Sequence, residues 1–318
     1  MSRRSMLLAL ALASLARPTA PIGAAAPPQT PAPTSAAQPA SAVQEEQAWR
    51  AKHEVDYRRD WVSIAGLFAL EPGPNTAGSA KTNAIQLPAS LPPSFGTFTL
   101  TGATVRFDPS AGVSVTLKGQ PVTGPIDLRD DETAGGDELV AGDVRLVVHV
   151  SGDHRSLRVR DPHGPLATGF RGFTWFPLDA AYRVTGRFIK DPAPRAIKVL
   201  NTVGDIDSYN TEGVVEFTLA GRTLRLRPFT TRPKRFYFVF RDASSGHETY
   251  EAARFLYSDL KDDGTTILDF NEAYNPPCSF NPYTTCPIPL PENRLKVKIL
   301  AGEKAYPVHV PIRGGGGH

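Results

Sequence analysis

The chain has 318 residues, with 35 Lys and Arg against 32 Asp and Glu and a formal net charge of +3 at pH 7. Arg3, Arg4 and Arg17 account for this excess, and they lie in an N-terminal segment that resembles a removable signal. The remainder is near neutral and lacks another apolar run of membrane-helix length, which argues against a nucleic-acid partner and a transmembrane segment in the mature chain.

The N-terminus has the three parts of a secretory signal: a basic start, a short apolar run and small residues at positions 23–26. We therefore predict a signal peptide over residues 1–26 and a secreted or periplasmic location, with an uncleaved amphipathic tail as the alternative. Residues 27–43 are rich in Pro, Ala, Ser and Thr, a composition that predicts a disordered linker.

Residues 44–60 are predicted to form the N-terminal helix. Trp49, His53 and Tyr57 recur at helical spacing and share one face, while charged residues occupy the rest. We expect this aromatic stripe to pack on the body of the protein. Core packing is favoured over a ligand role for His53.

Short runs rich in Val, Thr and Phe alternate with Gly- and Asp-containing turns from Phe95 onwards. This pattern predicts an all-β fold with mainly antiparallel, sandwich- or barrel-like sheets and one N-terminal helix. We predict a single β-rich domain over residues 44–312, or two packed β subdomains over about 61–168 and 169–312. Predicted strands include 95–100, 103–107, 113–117, 138–140, 144–150, 157–160, 170–175, 183–189, 196–202, 214–219 and 223–227.

Two histidines, His149 and His154, flank one of the predicted turns. No acid or thiol suited to complete a metal site lies close to them in sequence, so we predict solvent-facing turn residues. No metal and no cofactor is predicted for the chain.

Bulky residues on both faces of 235–242 predict a central strand covered on both sides, paired with 248–257. Arg241, Tyr250 and Arg254 are predicted to carry polar tips out of this apolar surround. A buried Arg requires a carboxylate partner, and several acids are available nearby in sequence.

The stretch from Thr266 to Glu303 is the candidate site. Two apolar runs, 266–270 and 295–300, are predicted strands around a long connection rich in Pro, Asn and aromatic residues. An ordered connection of this length is usually functional. If the runs pair antiparallel, their polar neighbours meet at one end of a sheet.

The polar residues of this region suit a small polar or carbohydrate-like ligand, although a satisfied hydrogen-bond network that shapes the loop is an equal alternative. The candidate ligand-binding residues are Arg241, Tyr250, Arg254, Asn271, Tyr274, Asn275, Tyr283 and Asn293. A second hypothesis is a hydrolase or lyase of a carbohydrate-like substrate that uses two carboxyls as acid and base. The candidates for that role are Asp269, Glu272, Glu292 and Glu303.

Cys278 and Cys286 are the two cysteines of the chain. In an exported protein they predict a disulfide that fixes the loop, worth at most about 2–3 kcal/mol because nearby prolines already stiffen it. A redox-active pair and a thiolate metal site are the alternatives, and neither the close Cys-x-x-Cys spacing nor nearby His ligands are present.

Several motifs together resemble the family known as domain of unknown function 1684. They are Trp61–Phe68, Phe240–Tyr250, Ala252–Tyr257, Leu268–Cys278, Pro282–Pro287, Glu292–Leu295 and Ala301–Lys304. The similarity runs from about Trp49 to Val310, with Ala69 at a position where the family is expected to carry Trp. The resemblance implies a single domain and no missed metal or nucleotide motif, and it implies no established activity.

Overall fold

A computed structural model describes residues 40–308 and residue 310 of the chain. The predicted signal peptide and residues 27–39 of the predicted linker lie outside this range. Helix α1 covers Ala40–Tyr57, and a π-helical turn, Arg58–Val62, continues it. The helix begins earlier than predicted, so residues 40–43 are helical rather than part of the linker. Over the described range, no helix combines the length and the apolar character needed to cross a bilayer.

The predicted all-β architecture is confirmed by eighteen strands in four sheets over the described residues. The first strands are β1 (Ile64–Ala69), β2 (Gly73–Gly78), β3 (Ile85–Gln86), β4 (Gly96–Thr101), β5 (Thr104–Pro109), β6 (Thr116–Leu117), β7 (Gln120–Pro121), β8 (Ile126–Leu128), β9 (Glu138–Ala141), β10 (Val144–Ser151) and β11 (His154–Arg160). The later strands are β12 (Arg183–Leu200), β13 (Ile206–Leu219), β14 (Arg222–Leu226), β15 (Phe229–Arg232), β16 (Arg235–Phe240), β17 (Arg254–Asp259) and β18 (Thr265–Asp269).

The first half of the chain forms two sheets, with strand orders β1-β11-β10-β9-β6-β7 and β3-β2-β4-β5-β8. The second half forms sheets β14-β13-β12-β18 and β15-β16-β17. All pairs are antiparallel except β2 with β3. Short helices complete the fold: α2 (Pro165–Thr168) and the 3₁₀ turns Ala180–Tyr182, Phe270–Glu272, Pro277–Ser279 and Pro291–Asn293.

Strand β16 has bulky residues on both faces because each face packs into a hydrophobic cluster. Phe236, Phe238 and Phe240 point into one hydrophobic cluster, while Tyr237 and Val239 point into another. The strand lies in the middle of its sheet and is covered on both sides, as the sequence predicts. The second of these clusters also contains Trp49 and Tyr57 of α1. The apolar residues of the segment after β18 are divided between the two clusters.

Several strand predictions are wrong. The partner of β16 is β17, which begins at Arg254, so residues 248–253 do not form the predicted strand. Residues 170–175 form only an isolated bridge, from Trp175 to Glu303. The proline-containing stretch after Lys190 is a bulge inside the continuous strand β12, not a loop between two strands. Residues 295–300 are irregular, and β18 pairs with β12 instead, with Asp269 opposite Arg183.

The irregular C-terminal segment is tied to the sheets by the side chain of Arg254, which is fully buried. Its guanidinium forms an ion pair with Asp242 at 2.9 Å, and the Asp242 side chain is fully buried as well. It also donates to the carbonyl oxygens of Ile299, at 3.0 Å, and Ala301. The predicted need of a buried Arg for a carboxylate is therefore met by Asp242.

We predict that Arg254→Met lowers the free energy of unfolding by about 3–5 kcal/mol, because it leaves Asp242 buried without its cation. Urea unfolding measures the loss. Arg106→Met removes an exposed pair with Asp127, whose side chains are 53% and 60% exposed, and should cost less than about 1 kcal/mol. Equal losses in the two variants would contradict this account of the C-terminal segment.

Candidate functional site

Buried asparagines of the C-terminal segment anchor it by bonding to groups of other segments, mainly their backbone carbonyls. The side chain of Asn271 donates to Asp269 at 2.9 Å and to the Asp179 carbonyl at 3.0 Å. The side chain of Asn281 donates to the carbonyls of Trp61 and Ile64, at 3.0 and 2.8 Å. These bonds satisfy backbone carbonyls of neighbouring segments, as expected if the polar residues form a hydrogen-bond network that shapes the loop.

Asn275 and Glu303 form a buried pair at the centre of the segment. The carboxylate of Glu303 accepts from the Asn275 backbone N–H at 2.7 Å and from its side-chain amide at 2.8 Å. Burial raises the pKa of Glu303 to about 8, with the two Asn275 hydrogen bonds opposing. The Asn275 carbonyl in turn accepts from the hydroxyl of Tyr57 at 2.9 Å, which joins the segment to α1.

Asn293, Glu292 and Arg241 lie at another turn, away from this pair. The Asn293 side chain donates to the carbonyls of Arg227 and Val239, at 2.8 and 3.0 Å. Glu292 pairs with Arg227 and is 55% exposed. Arg241 contributes a backbone bridge to Arg294. Because β18 does not pair with this stretch, these residues do not meet Asp269 or Asn271 at one sheet end.

The two cysteines are free, buried thiols in the structure rather than a disulfide. They are hydrogen-bonded neighbours, and this contact together with burial raises the pKa of Cys278 well above its usual range. The hydroxyl of Tyr250 lies 3.7 Å from the Cys278 sulfur. The two cysteines that the sequence predicts to pair therefore lie side by side in the fold.

A cavity of about 490 Å³ lies between α1, strands β13, β16 and β17, and the C-terminal segment. Its walls are mostly aromatic. The lining residues are Trp49, His53, Tyr57, Trp61, Tyr209, Arg235, Tyr237, Phe255, Tyr257, Glu272, Tyr274, Pro277, Thr285, Cys286 and Pro287. We call this space the aromatic cavity.

The helical stripe predicted from the sequence forms one wall of the aromatic cavity. Trp49 and His53 stack with ring centroids 4.9 Å apart, and His53 lies 4.6 Å from the ring of Tyr274. The Nε2 atom of His53 is buried and has no hydrogen-bond partner within residues 40–308 and 310. Burial lowers the pKa of His53 to about 4, so the ring is neutral at pH 7.

The opposite wall comes from the paired strands β16 and β17. Tyr237 and Tyr257 face each other in register and stack at 4.8 Å. The guanidinium of Arg235 lies 5.0 Å above the ring of Tyr257 and forms an ion pair with Asp259 at 2.7 Å. The wall therefore combines flat apolar faces, phenol hydroxyls and one cation.

Glu272 is the acid among the cavity-lining residues. Burial, together with the nearby carboxylates of Glu46 and Asp269, raises its pKa to about 7. Oxygens of these three carboxyls lie within 4.8 Å of one another. Glu46 is paired with Arg50 and Asp269 with Arg183, so the cluster already has two cations of its own.

Of the twelve predicted site residues, Glu272 and Tyr274 line the aromatic cavity. Tyr250 and Tyr283 line two other, separate depressions. The others lie outside the cavity lining: Asp269, Glu292, Glu303, Arg241, Arg254, Asn271, Asn275 and Asn293. Sequence reasoning missed Arg235, Tyr237 and Tyr257 as cavity residues, although the alternation along 235–242 did place Tyr237 on the face opposite the phenylalanines.

His149 is a further correction. It is not a solvent-facing turn residue: it lies within β10 and is only 8% exposed. The strand extends to Ser151, so the turn begins later than predicted. His154 lies at the start of β11, and its side chain is 74% exposed, as predicted for a turn-flanking residue.

Comparison with known proteins finds one family match and several partial structural similarities. Residues 168–304 match the family described as "Protein of unknown function (DUF1684)". An uncharacterised protein of Haloarcula marismortui, solved by solution NMR, is 28% identical, with 45% of this chain and 82% of that chain covered and a TM-score of 0.38. The FHA domain of FhaA, solved in complex with the intracellular domain of Rv3910, is 17% identical. The match covers 30% of this chain and 97% of that chain, with a TM-score of 0.21. No curated protein matches the chain.

The raised pKa of Glu272 predicts a pH-dependent stability. An unfolded Glu has a pKa near 4.5 and the folded one a pKa of about 7, so between these values the folded state holds the extra proton. Raising the pH from 5 to 8 therefore lowers the free energy of unfolding, by about 1–2 kcal/mol from this group after allowance for solvent screening. Glu272→Gln should remove that part of the pH dependence.

Urea unfolding of the wild type and the variant at pH 5 and pH 8 measures this difference. Glu45→Gln, which changes an exposed glutamate of α1, is the matched control and should keep the wild-type pH dependence. An unchanged pH dependence in Glu272→Gln would show that the carboxyl ionises in its ordinary range.

Proposed function

We propose, from the geometry of the aromatic cavity, that the protein, whose residues 168–304 match the DUF1684 family, binds a small polar, carbohydrate-like ligand in that cavity. Its volume of about 490 Å³ suits a small molecule of one or two rings. The observation that carries the proposal is the buried Nε2 of His53, which lacks a partner among the described residues. An unpaired buried polar atom costs about 1–3 kcal/mol, and a ligand hydroxyl would supply the missing hydrogen bond.

The aromatic walls support a ligand with both an apolar face and hydroxyl groups. Stacked rings such as those of Tyr237 and Tyr257 offer flat surfaces on which the C–H face of a sugar can pack. Arg235 and Glu272 add one donor and one carboxyl of opposite charge in the same lining. Such a lining favours an uncharged, hydroxyl-rich molecule over a strongly charged one.

A hydrolase or lyase that uses paired carboxyls is less well supported. That mechanism requires two carboxyls facing the same substrate. Glu272 lines the cavity, but Asp269 is held by Arg183 and Asn271, and Glu303 by Asn275. Carboxyls that are already paired in this way favour binding over acid–base catalysis at these residues.

We further propose that the protein is exported and that Cys278 and Cys286 form a disulfide in an oxidising compartment. The signal-like N-terminus supports export. The adjacent, hydrogen-bonded thiols support the bond, since its formation needs no large movement of the chain.

Ligand binding is tested with a panel of mono- and disaccharides by isothermal titration calorimetry. His53→Phe keeps the ring and removes the nitrogen, so we expect about a tenfold weaker affinity for the saccharides that bind. Tyr250→Phe, outside the cavity, is the matched control and should bind like the wild type. Failure of every saccharide to bind, or equal affinities for His53→Phe and the wild type, would refute the proposal.

The disulfide is tested by thiol titration of denatured, unreduced protein isolated from an oxidising compartment. We expect no reactive thiol before reduction and two after it, since the chain has two cysteines. Cys286→Ser should instead show one reactive thiol in both states. Two reactive thiols in the unreduced wild type would contradict the proposal.

A further inference from the structure

A threonine in the cavity wall is connected through its hydroxyl to a histidine and a carboxylate by two consecutive hydrogen bonds. Thr285 lines the aromatic cavity, and its Oγ1 lies 2.9 Å from Nε2 of His149. Nδ1 of the same ring lies 2.8 Å from Oδ2 of Asp131. The three residues come from β10, the loop after β8 and the C-terminal segment, so only the folded chain brings them together.

The partners of Asp131 determine which nitrogen of His149 carries the proton. The carboxylate accepts from the Val150 backbone N–H at 3.1 Å and from Arg158 at 3.0 Å. Burial alone would raise the pKa of Asp131, but the bond from His149 and the charge of Arg158 outweigh it and lower the pKa. An ionised carboxylate only accepts hydrogen bonds, so Nδ1 of His149 donates and Nε2 presents its lone pair to the Thr285 hydroxyl.

The environment of His149 keeps it a neutral base. Burial lowers its pKa, the charge of Arg158 lowers it further, and Asp131 and Asp207 oppose these effects. A neutral imidazole at pH 7 can accept the Thr285 proton, whereas an imidazolium could not. This order of hydroxyl, imidazole and carboxylate is the arrangement that activates a weak oxygen nucleophile.

Two other histidine–aspartate pairs in the described part of the chain provide an internal comparison. His154 bonds to Asp205 at 2.9 Å and His163 bonds to Asp143 at 2.9 Å. Both histidine side chains are more than 70% exposed, at 74% and 72%, and neither lines the aromatic cavity. His149 differs in being buried and in coupling its carboxylate to a hydroxyl in the cavity wall.

We propose that Thr285 is a nucleophile that accepts an acyl group from an O-acyl ester bound in the aromatic cavity, with His149 as its general base and Asp131 as a positioning residue. The Thr285 oxygen forms a bond to the ester carbonyl carbon while Nε2 of His149 takes the hydroxyl proton. The C–O bond to the leaving alcohol then breaks, and His149 returns the proton to that oxygen. Water, activated by the same nitrogen, cleaves the acyl-threonine, releases the acid and restores the hydroxyl.

The inference rests on the proposed function only in using the same cavity, and it deepens that function by naming an acylated, hydroxyl-bearing molecule as the ligand class. The two can fail separately. Saccharide binding reports on the aromatic walls and His53, whereas covalent modification reports on the Thr285 oxygen.

The test is covalent labelling of the purified full chain with an alkyl fluorophosphonate at pH 7.5. Attack by Thr285 on phosphorus expels fluoride and leaves a stable adduct, which intact-mass measurement and peptide mapping locate. We expect a single adduct at Thr285. Thr285→Val, which keeps the shape and removes the hydroxyl, should lose it, and His149→Gln should lower the labelling rate at least tenfold.

Matched controls separate catalysis from folding. His154→Gln removes an exposed histidine that also has an aspartate partner, so this variant should be labelled at Thr285 at the wild-type rate. Thr285→Ser keeps the hydroxyl and should remain labelled.

Asp131→Asn should slow labelling and move the pH midpoint of the labelling rate downward, because the carboxylate no longer stabilises the imidazolium, although Arg158 and Asp207 remain. A purely structural role for Asp131 would leave that midpoint unchanged. Absence of an adduct at Thr285 in the folded wild type would overturn the proposal, whatever the variants do.

Discussion

The structure depends on how the backbone of residues 270–305 obtains its hydrogen bonds without a sheet. Isolated backbone bonds to neighbouring segments supply some of them, as between Tyr274 and Phe255. Buried side chains add others: Arg254 bonds to the carbonyls of Ile299 and Ala301. Asn281 and Asn293 in turn bond to carbonyls of other segments and so anchor the segment to them. An unpaired backbone group buried from water is costly, so these hydrogen bonds help to fix the path of the segment. The main role of these polar side chains is therefore to stabilise the fold and not to bind a ligand.

This rigid segment is what gives the aromatic cavity one of its walls. Tyr57 of α1 bonds to the carbonyl of Asn275, whose side chain is held by Glu303, so helix and segment are fixed against each other. Tyr274 and Thr285 reach the cavity from the same segment. The buried amides fix the path of the backbone. That path positions Tyr274 and Thr285, and their positions shape a cavity that can hold a ligand.

The sequence correctly predicted the features that depend on local periodicity, namely which face of a helix or strand is buried. The spacing of Trp49, His53 and Tyr57 predicted the face of α1 that packs on the body of the protein, and alternation along β16 assigned the two faces of that strand. That this face of α1 also lines a cavity was not predicted. It could not predict pairings between distant segments: β18 pairs with β12, not with residues 295–300. The contact of His149 with Thr285 spans 136 positions, so no local pattern reveals it. Asparagines that bind a ligand and asparagines that hold a loop look alike until their partners are known.

The central claim is that ligands meet the aromatic walls, while the buried asparagines hold the backbone. The chain has three tryptophans, two of which, Trp49 and Trp61, line the cavity, while Trp175 does not. Saccharide titration of ¹⁵N-labelled protein, followed by the indole N–H and asparagine side-chain signals, tests this directly. The account predicts the largest shifts at Trp49 and Trp61, with the amides of Asn275 and Asn293 unmoved. Shifts concentrated at those asparagines, with both cavity tryptophans unchanged, would contradict it.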